Sequence, residues 1–177
     1  QTCALPILEE NNECPSLVGL RYAFQTPKKL YLVMDYYPGG SLDKEIKQHP
    51  YFFTLKKSRI YAAEYYVGLC NLHERNIAYR DGKLDNILMD KDGHIHIADF
   101  GLSKKSVQKT VGARTMCGTA EYVAPEILLN HPYGLAADWW TCGCLIYEFL
   151  TGKTAFGDEN SSIQYYNILS KEPRSEE

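Results

Sequence analysis

The sequence predicts an α+β chain in two unequal parts, a small sheet-bearing part up to residue 40 and a larger, mostly helical part over residues 41–177. Two runs rich in β-forming residues, at 17–24 and 30–36, fall inside the first forty positions. Beyond them, apolar residues recur mainly at helical spacing. Between the two regimes, Pro38-Gly39-Gly40 interrupts both patterns and marks the expected boundary.

The elements follow in order. Leu5 to Glu10 reads as the end of a helix running into Asn11-Asn12. The two early strands flank Gln25-Thr26-Pro27-Lys28-Lys29. Ser41 is placed to cap a short helix through His49, and Thr54 a longer one through about Arg75. On that longer helix Ile60, Ala63, Val67 and Cys70 are spaced for a buried face. Ile87-Leu88-Met89 and His94-Ile95-His96-Ile97 are joined by Asp90-Lys91-Asp92-Gly93, which predicts a hairpin. Residues 102–120 are polar and without period, as a mobile segment would be. A short helix is expected from Glu121 to Asn130, and a strongly apolar one from Leu135 to Leu150, ended by Gly152. Ser161 is read as the cap of a last helix, Ile163 to Lys171. There is no internal repeat.

Composition narrows the function classes. With 45% hydrophobic and 23% charged residues, 177 residues suffice for one domain or most of one. A net charge of −3 without a dense basic run gives no argument for nucleic acid. No apolar stretch approaches the roughly 20 residues that span a bilayer, so membrane insertion is not expected. No signal peptide is visible at Gln1-Thr2-Cys3-Ala4. The six cysteines form no Cys-x-x-Cys pair, and Cys142 and Cys144 read as buried thiols of an apolar helix. Reducing surroundings, cytoplasmic or also nuclear, fit that usage. His94 and His96 share one strand face but lack a nearby third ligand, so both are read as solvent-facing rather than metal-binding.

The chemistry-bearing stretch is Tyr79 to Gly101. A loop holding Asp81, Lys83 and Asn86 precedes the hairpin, and the hairpin delivers Asp99 beside it. Two carboxylates, an amide and an ammonium suit phosphoryl transfer, which asks mainly for positioning and charge neutralisation. Asn86 and Asp99 offer the oxygen ligands that Mg²⁺ prefers. Lys83 offers a mobile cation for a phosphate, and Asp81 a base for an attacking hydroxyl.

Tyr79-Arg80-Asp81-x-Lys83-x-x-Asn86, then Asp99-Phe100-Gly101, then Ala124-Pro125-Glu126, resembles the protein-kinase signature set in order. Tyr79, Thr115-Met116-Cys117-Gly118-Thr119 and Ala137-Asp138-Trp139-Trp140 resemble the protein kinase A, B and C group. Tyr22-Ala23-Phe24 and Lys83-Leu84-Asp85-Asn86 lean towards its protein kinase B and ribosomal-protein-kinase branch. The resemblance implies a bilobal fold, with residues 1–40 as the end of the small lobe and the hinge. It implies an ATP- and Mg²⁺-dependent serine/threonine kinase acting on protein substrates. Met34 would be the gatekeeper, the backbone of Asp35 and Tyr37 would hold adenine, and Leu88 would floor the pocket. Asp81 and Lys83 would be catalytic, and Asn86 and Asp99 would hold the metal. Thr115 would be phosphorylated by an upstream activating kinase, with Arg80 and Lys104 as cationic partners. Thr119 would tie the peptide-docking loop to Asp81 and Lys83. Leu8, Leu20, Tyr79 and Phe100 match a stacked apolar spine anchored at Asp138, whose carboxylate is expected on backbone amides of the catalytic loop.

The sequence also departs from the family. The Gly-rich loop and the phosphate-gripping strand Lys do not occur in these 177 residues, so a partial sequence and little transfer by it alone are expected. Glu126 would lack its family Arg partner and be buried unpaired. Gly82 stands where the family has an apolar residue packing the catalytic loop. Ser41 and Asn167 replace acidic residues of arginine-directed relatives, leaving Asp85. A kinase-like scaffold that binds without turnover is the alternative reading.

Overall fold

Two long helices carry the core. In the computed structural model, which describes residues 7, 9, 13–49, 53–105 and 118–171, these are α2 (Leu55–Glu74) and α4 (Ala136–Thr151). Leu69 and Leu72 of the first and Leu145 and Phe149 of the second have no exposed surface, nor have Leu42, Ile77 and Ile87 around them. Ser58 of α2 donates to the Phe149 carbonyl at 2.7 Å, which ties the start of α2 to the end of α4. Thr54 caps α2 by accepting from the Lys57 amide, as its position predicts. Gly152 ends α4 in the left-handed region (φ 71°), where its amide bonds back to Glu148.

Among the described residues the strands are short and form three small antiparallel sheets. β1 (Leu20–Gln25) pairs with β2 (Leu30–Met34), and β3 (Gly40–Ser41) with β5 (Ile87–Met89) and β6 (Ile95–Ile97) in the order β3-β5-β6. β4 (Ile77–Ala78) pairs with β7 (Lys104–Lys105). The expected 87–97 hairpin is present, with Leu88 opposite His96. Its inner residues Ile95 and Ile97 pack on α2, where Gly68 allows the approach: a Cβ there would meet Ile97 Cδ1 at 2.7 Å. The described residues also form helices α1 (Leu42–Gln48), α3 (Pro125–Leu128) and α5 (Ser161–Ser170).

Several sequence expectations are corrected. The buried face of α2 is Ser58, Tyr61, Tyr65, Gly68, Leu69 and Leu72; Ile60, Ala63 and Val67 are exposed and Cys70 only half-buried. Both stripes obey the same helical period, and the tyrosines, with their large rings, win the core. The first strand starts at Leu20 rather than 17, because Ser16 to Val18 pair with Ile97 of β6 instead. Residues 121–130 divide into a 3-10 turn at Ala120–Tyr122 and α3, separated at Val123-Ala124 before Pro125. Asn160, not Ser161, caps α5 through the Ser162 amide. His96 is half-buried rather than solvent-facing, under the Tyr37 ring (4.6 Å) and beside Asp90 (3.2 Å); His94 is exposed as expected. Cys142 and Cys144 are buried, and burial pushes their thiols up to about 11 and about 12. Of the expected 5–10 helix, Ile7 and Glu9 are described and helical; Leu8, Thr115 and most of 102–120 lie outside the described residues.

Candidate active site

Asp138 builds the site from below. Buried on the first turn of α4, it accepts from the Tyr79 and Arg80 amides at 2.8 Å each, and its Oδ2 also meets His73 Nε2 at 2.8 Å. A carboxylate with three such partners is tolerated in an apolar surround, and it fixes where the loop after β4 begins. The Tyr79 hydroxyl donates to the Ala98 carbonyl at 2.6 Å, and its ring meets Phe100 edge-on at 5.8 Å. Ala98 in turn donates its amide to the Asn86 carbonyl at 2.8 Å. Loop and hairpin are thus laced together through the backbone of Ala98.

Asp81 is the centre of the polar cluster and is 5% exposed. Its Oδ2 accepts from Asn86 Nδ2 at 2.8 Å and faces Lys83 Nζ at 3.2 Å. Its Oδ1 accepts from Thr119 Oγ1 at 3.3 Å. The expected tie from Thr119 to Lys83 therefore runs through Asp81. With its amide nitrogen held by Asp81, Asn86 has its side-chain oxygen to offer a cation.

Asp99 stands one residue beyond Ala98, exposed and in the left-handed region (φ 52°), with Oδ1 accepting from the Gly101 amide at 3.1 Å. A strained non-glycine backbone is a feature of functional sites. Asn86 and Asp99 supply oxygen donors of the kind Mg²⁺ takes when substrate phosphates and water complete its shell. Among the described residues there is no group of three or more His, Cys, Asp or Glu placed as a metal cage.

The remaining expected residues are more dispersed. Met34 ends β2 and is 45% exposed, and Leu88 is half-buried in β5. Asp35 is bound to Arg21 at 2.7 Å, and Asp35 and Tyr37 line a cleft with Gly19 and His96 on which neither Met34 nor Leu88 borders. Arg80, in the left-handed region at φ 73°, donates to the Leu102 carbonyl (2.6 Å) and to the Tyr133 hydroxyl (3.1 Å). Lys104 is exposed on β7. Glu126 is half-buried rather than buried, because α3 presents it near the surface.

Sequence reasoning missed the buried pair Tyr122–Glu148, bonded at 2.6 Å. Burial pushes Glu148 up to about 7, against the Tyr122 bond and with help from Glu121, Asp43 and Asp85. The signal was present as a lone carboxylate inside the apolar Leu145-Ile146-Tyr147-Glu148-Phe149-Leu150 run.

The protein kinase domain family matches residues 5–176. The chain belongs to that family. Among its kinase relatives, Protein kinase 2 of Dictyostelium discoideum is 49% identical over 158 residues, covering 89% of this chain and 33% of that protein. Human serine/threonine-protein kinase Sgk2 is 46% identical over 163 residues, covering 92% and 44%. RAC-beta serine/threonine-protein kinase B of Xenopus laevis is 43% identical over 165 residues, covering 93% and 34%. The kinase chain here thus spans between a third and a half of the length of these relatives. Its Asp81–Asn86–Asp99 stretch lies inside the matched region.

Proposed function

We propose that this chain is catalytic-domain sequence of a serine/threonine protein kinase that uses ATP and Mg²⁺. The observation that carries the reading is the Asp81 carboxylate, buried and faced at once by Lys83, Asn86 and Thr119. Asp81 takes the proton of the substrate hydroxyl as the hydroxyl oxygen attacks the γ-phosphorus of ATP, and the bond from that phosphorus to the β,γ-bridging oxygen breaks to release ADP. Lys83, 3.2 Å from Asp81, is placed to neutralise charge on the transferring group. Asn86 and Asp99 would hold the metal, which would supply positive charge to neutralise the nucleotide phosphates. Thr119 orients Asp81 from the segment that would receive the peptide. Met34, Leu88 and the backbone of Asp35 and Tyr37 are the proposed adenine contacts. Thr115, with Arg80 and Lys104, is the proposed site for an upstream kinase, and the proposed setting is cytoplasmic, also nuclear.

The test uses the protein translated from the complete reading frame that holds these residues. Transfer from ATP to a Ser/Thr peptide is expected to fall by about 10²–10⁴-fold in Asp81→Asn and to be lost in Asp99→Ala. Full cellular activity kept by the Asp81→Asn protein would favour the non-catalytic scaffold.

A further inference from the structure

Gly82 sits between Asp81 and Lys83 and is buried. It is absent from the glycines with positive φ, so its backbone is one that other residues also adopt. What excludes a side chain is space. A Cβ on Gly82 would meet Thr141 Cγ2 at 2.5 Å and the Tyr65 hydroxyl oxygen closer still.

Both obstructing groups are firmly held. Tyr65 is 1% exposed on the core face of α2, and its hydroxyl has no hydrogen-bond partner among the described residues. A buried hydroxyl without a partner is unfavourable, so that oxygen is serving as volume rather than as a polar group. Thr141 of α4 donates from Oγ1 to the Tyr122 carbonyl (3.0 Å) and to the Ala137 carbonyl (3.3 Å). Those bonds fix its rotamer and leave Cγ2 pointing at Gly82. A glycine beside the central carboxylate would ordinarily let the loop wander. Here one wall from each of the two core helices closes on it.

We propose that Tyr65 and Thr141 are positioning residues that fill the place of the side chain Gly82 lacks and so hold the loop carrying Asp81 and Lys83. The catalytic half of this statement rests on the kinase reading; the packing half does not. Neither residue touches the proposed reacting atoms. Their effect is on where the Asp81 carboxylate stands.

The test is a cycle in which two atoms are deleted and one is added. Tyr65→Phe removes the obstructing oxygen, and Thr141→Ser removes Cγ2 while keeping the hydroxyl bonds. Gly82→Ala adds the Cβ. In the full chain, Gly82→Ala alone is expected to lower the melting temperature, by about 4 °C or more. In the Tyr65→Phe/Thr141→Ser background the same change is expected to raise it. Should Gly82→Ala alone not fold, recovery of folded protein in the triple variant is the same result. Additive effects, or no recovery, overturn the proposal.

In the complete-reading-frame protein, Tyr65→Phe/Thr141→Ser is expected to lower kcat by about tenfold, because sub-ångström misplacement of a catalytic group is costly. The KM for ATP should be unchanged, and Gly82→Ala should restore kcat. A kcat that follows stability alone, without this rescue, rejects a positioning role. Absence of transfer from every variant, with the thermal coupling intact, would instead reject the kinase reading.

Discussion

At the scale of single residues, buried carboxylates divide by the partners they find. Asp138 meets two backbone amides and His73 within 2.8 Å, so replacing it by Ala orphans one buried and one partly buried N–H group. A loss of about 2–6 kcal/mol is expected, read by urea denaturation of Asp138→Ala; a loss under about 1 kcal/mol would mean water reaches those amides. Glu148 accepts from the Tyr122 hydroxyl, and burial lifts it from 4.5 to about 7. Between those values the unfolded chain binds fewer protons than the folded one, so stability falls as pH rises through the window. The fall attributable to Glu148 is about 3 kcal/mol at most. Glu148→Gln keeps an acceptor for Tyr122 and should flatten stability between pH 5 and 8. An unchanged slope in that variant would assign the effect elsewhere.

At the scale of elements, α2 presents two stripes of the same period, and the structure buries the aromatic one. Leu69 is fully buried and Val67 is 47% exposed, two positions apart on one helix. Leu69→Ala is expected to cost about 2–5 kcal/mol, and Val67→Ser within about 0.5 kcal/mol, both read as shifts in denaturation midpoint. Similar costs at the two positions would mean the helix is rotated from the orientation seen. The hairpin depends on α2 as well: Glu64 accepts from the Ile95 amide at 2.9 Å and from the His94 ring. That contact raises the His94 pKa, through the Glu64 hydrogen bond first and its charge second. Its stabilisation is therefore present below the ordinary histidine value and lost as pH rises through the raised one.

At the scale of the whole molecule, stability is unevenly spread. β1 and β2 leave Tyr22, Phe24, Leu30, Tyr31, Val33 and Met34 between 40% and 72% exposed, with Phe24 stacked on Tyr31 at 4.9 Å. A two-stranded ribbon so thinly covered is marginal by itself. Hydrogen exchange should run through β1–β2 by local opening, while amides of α2, α4 and Tyr79–Arg80 exchange only on global unfolding. Equal protection of ribbon and core would show one cooperative unit. No described helix is long and apolar enough to cross a membrane.

Local signals sufficed for much of this. Turn glycines, the caps at Thr54 and Gly152, and the order of Asp81, Lys83, Asn86 and Asp99 are properties of short stretches, and they placed the α2 start, the hairpin and the site loop. The backbone amides under Asp138 also followed, because a buried carboxylate must find donors somewhere. Other features depend on which residues meet from far along the chain. Helical period alone does not choose between the Ile60–Val67 and Tyr61–Leu72 stripes; the fit against α4 and β6 does. His96 is covered because Tyr37 folds over it, and Glu148 is lifted because the packed chain buries it, against the Tyr122 bond. Gly82 reads as a loss in one dimension, and only packing reveals that Tyr65 and Thr141, 17 residues before it and 59 after, already occupy its side chain's volume. Sequence determines what each segment can form; excluded volume between distant segments decides which of those options the molecule uses.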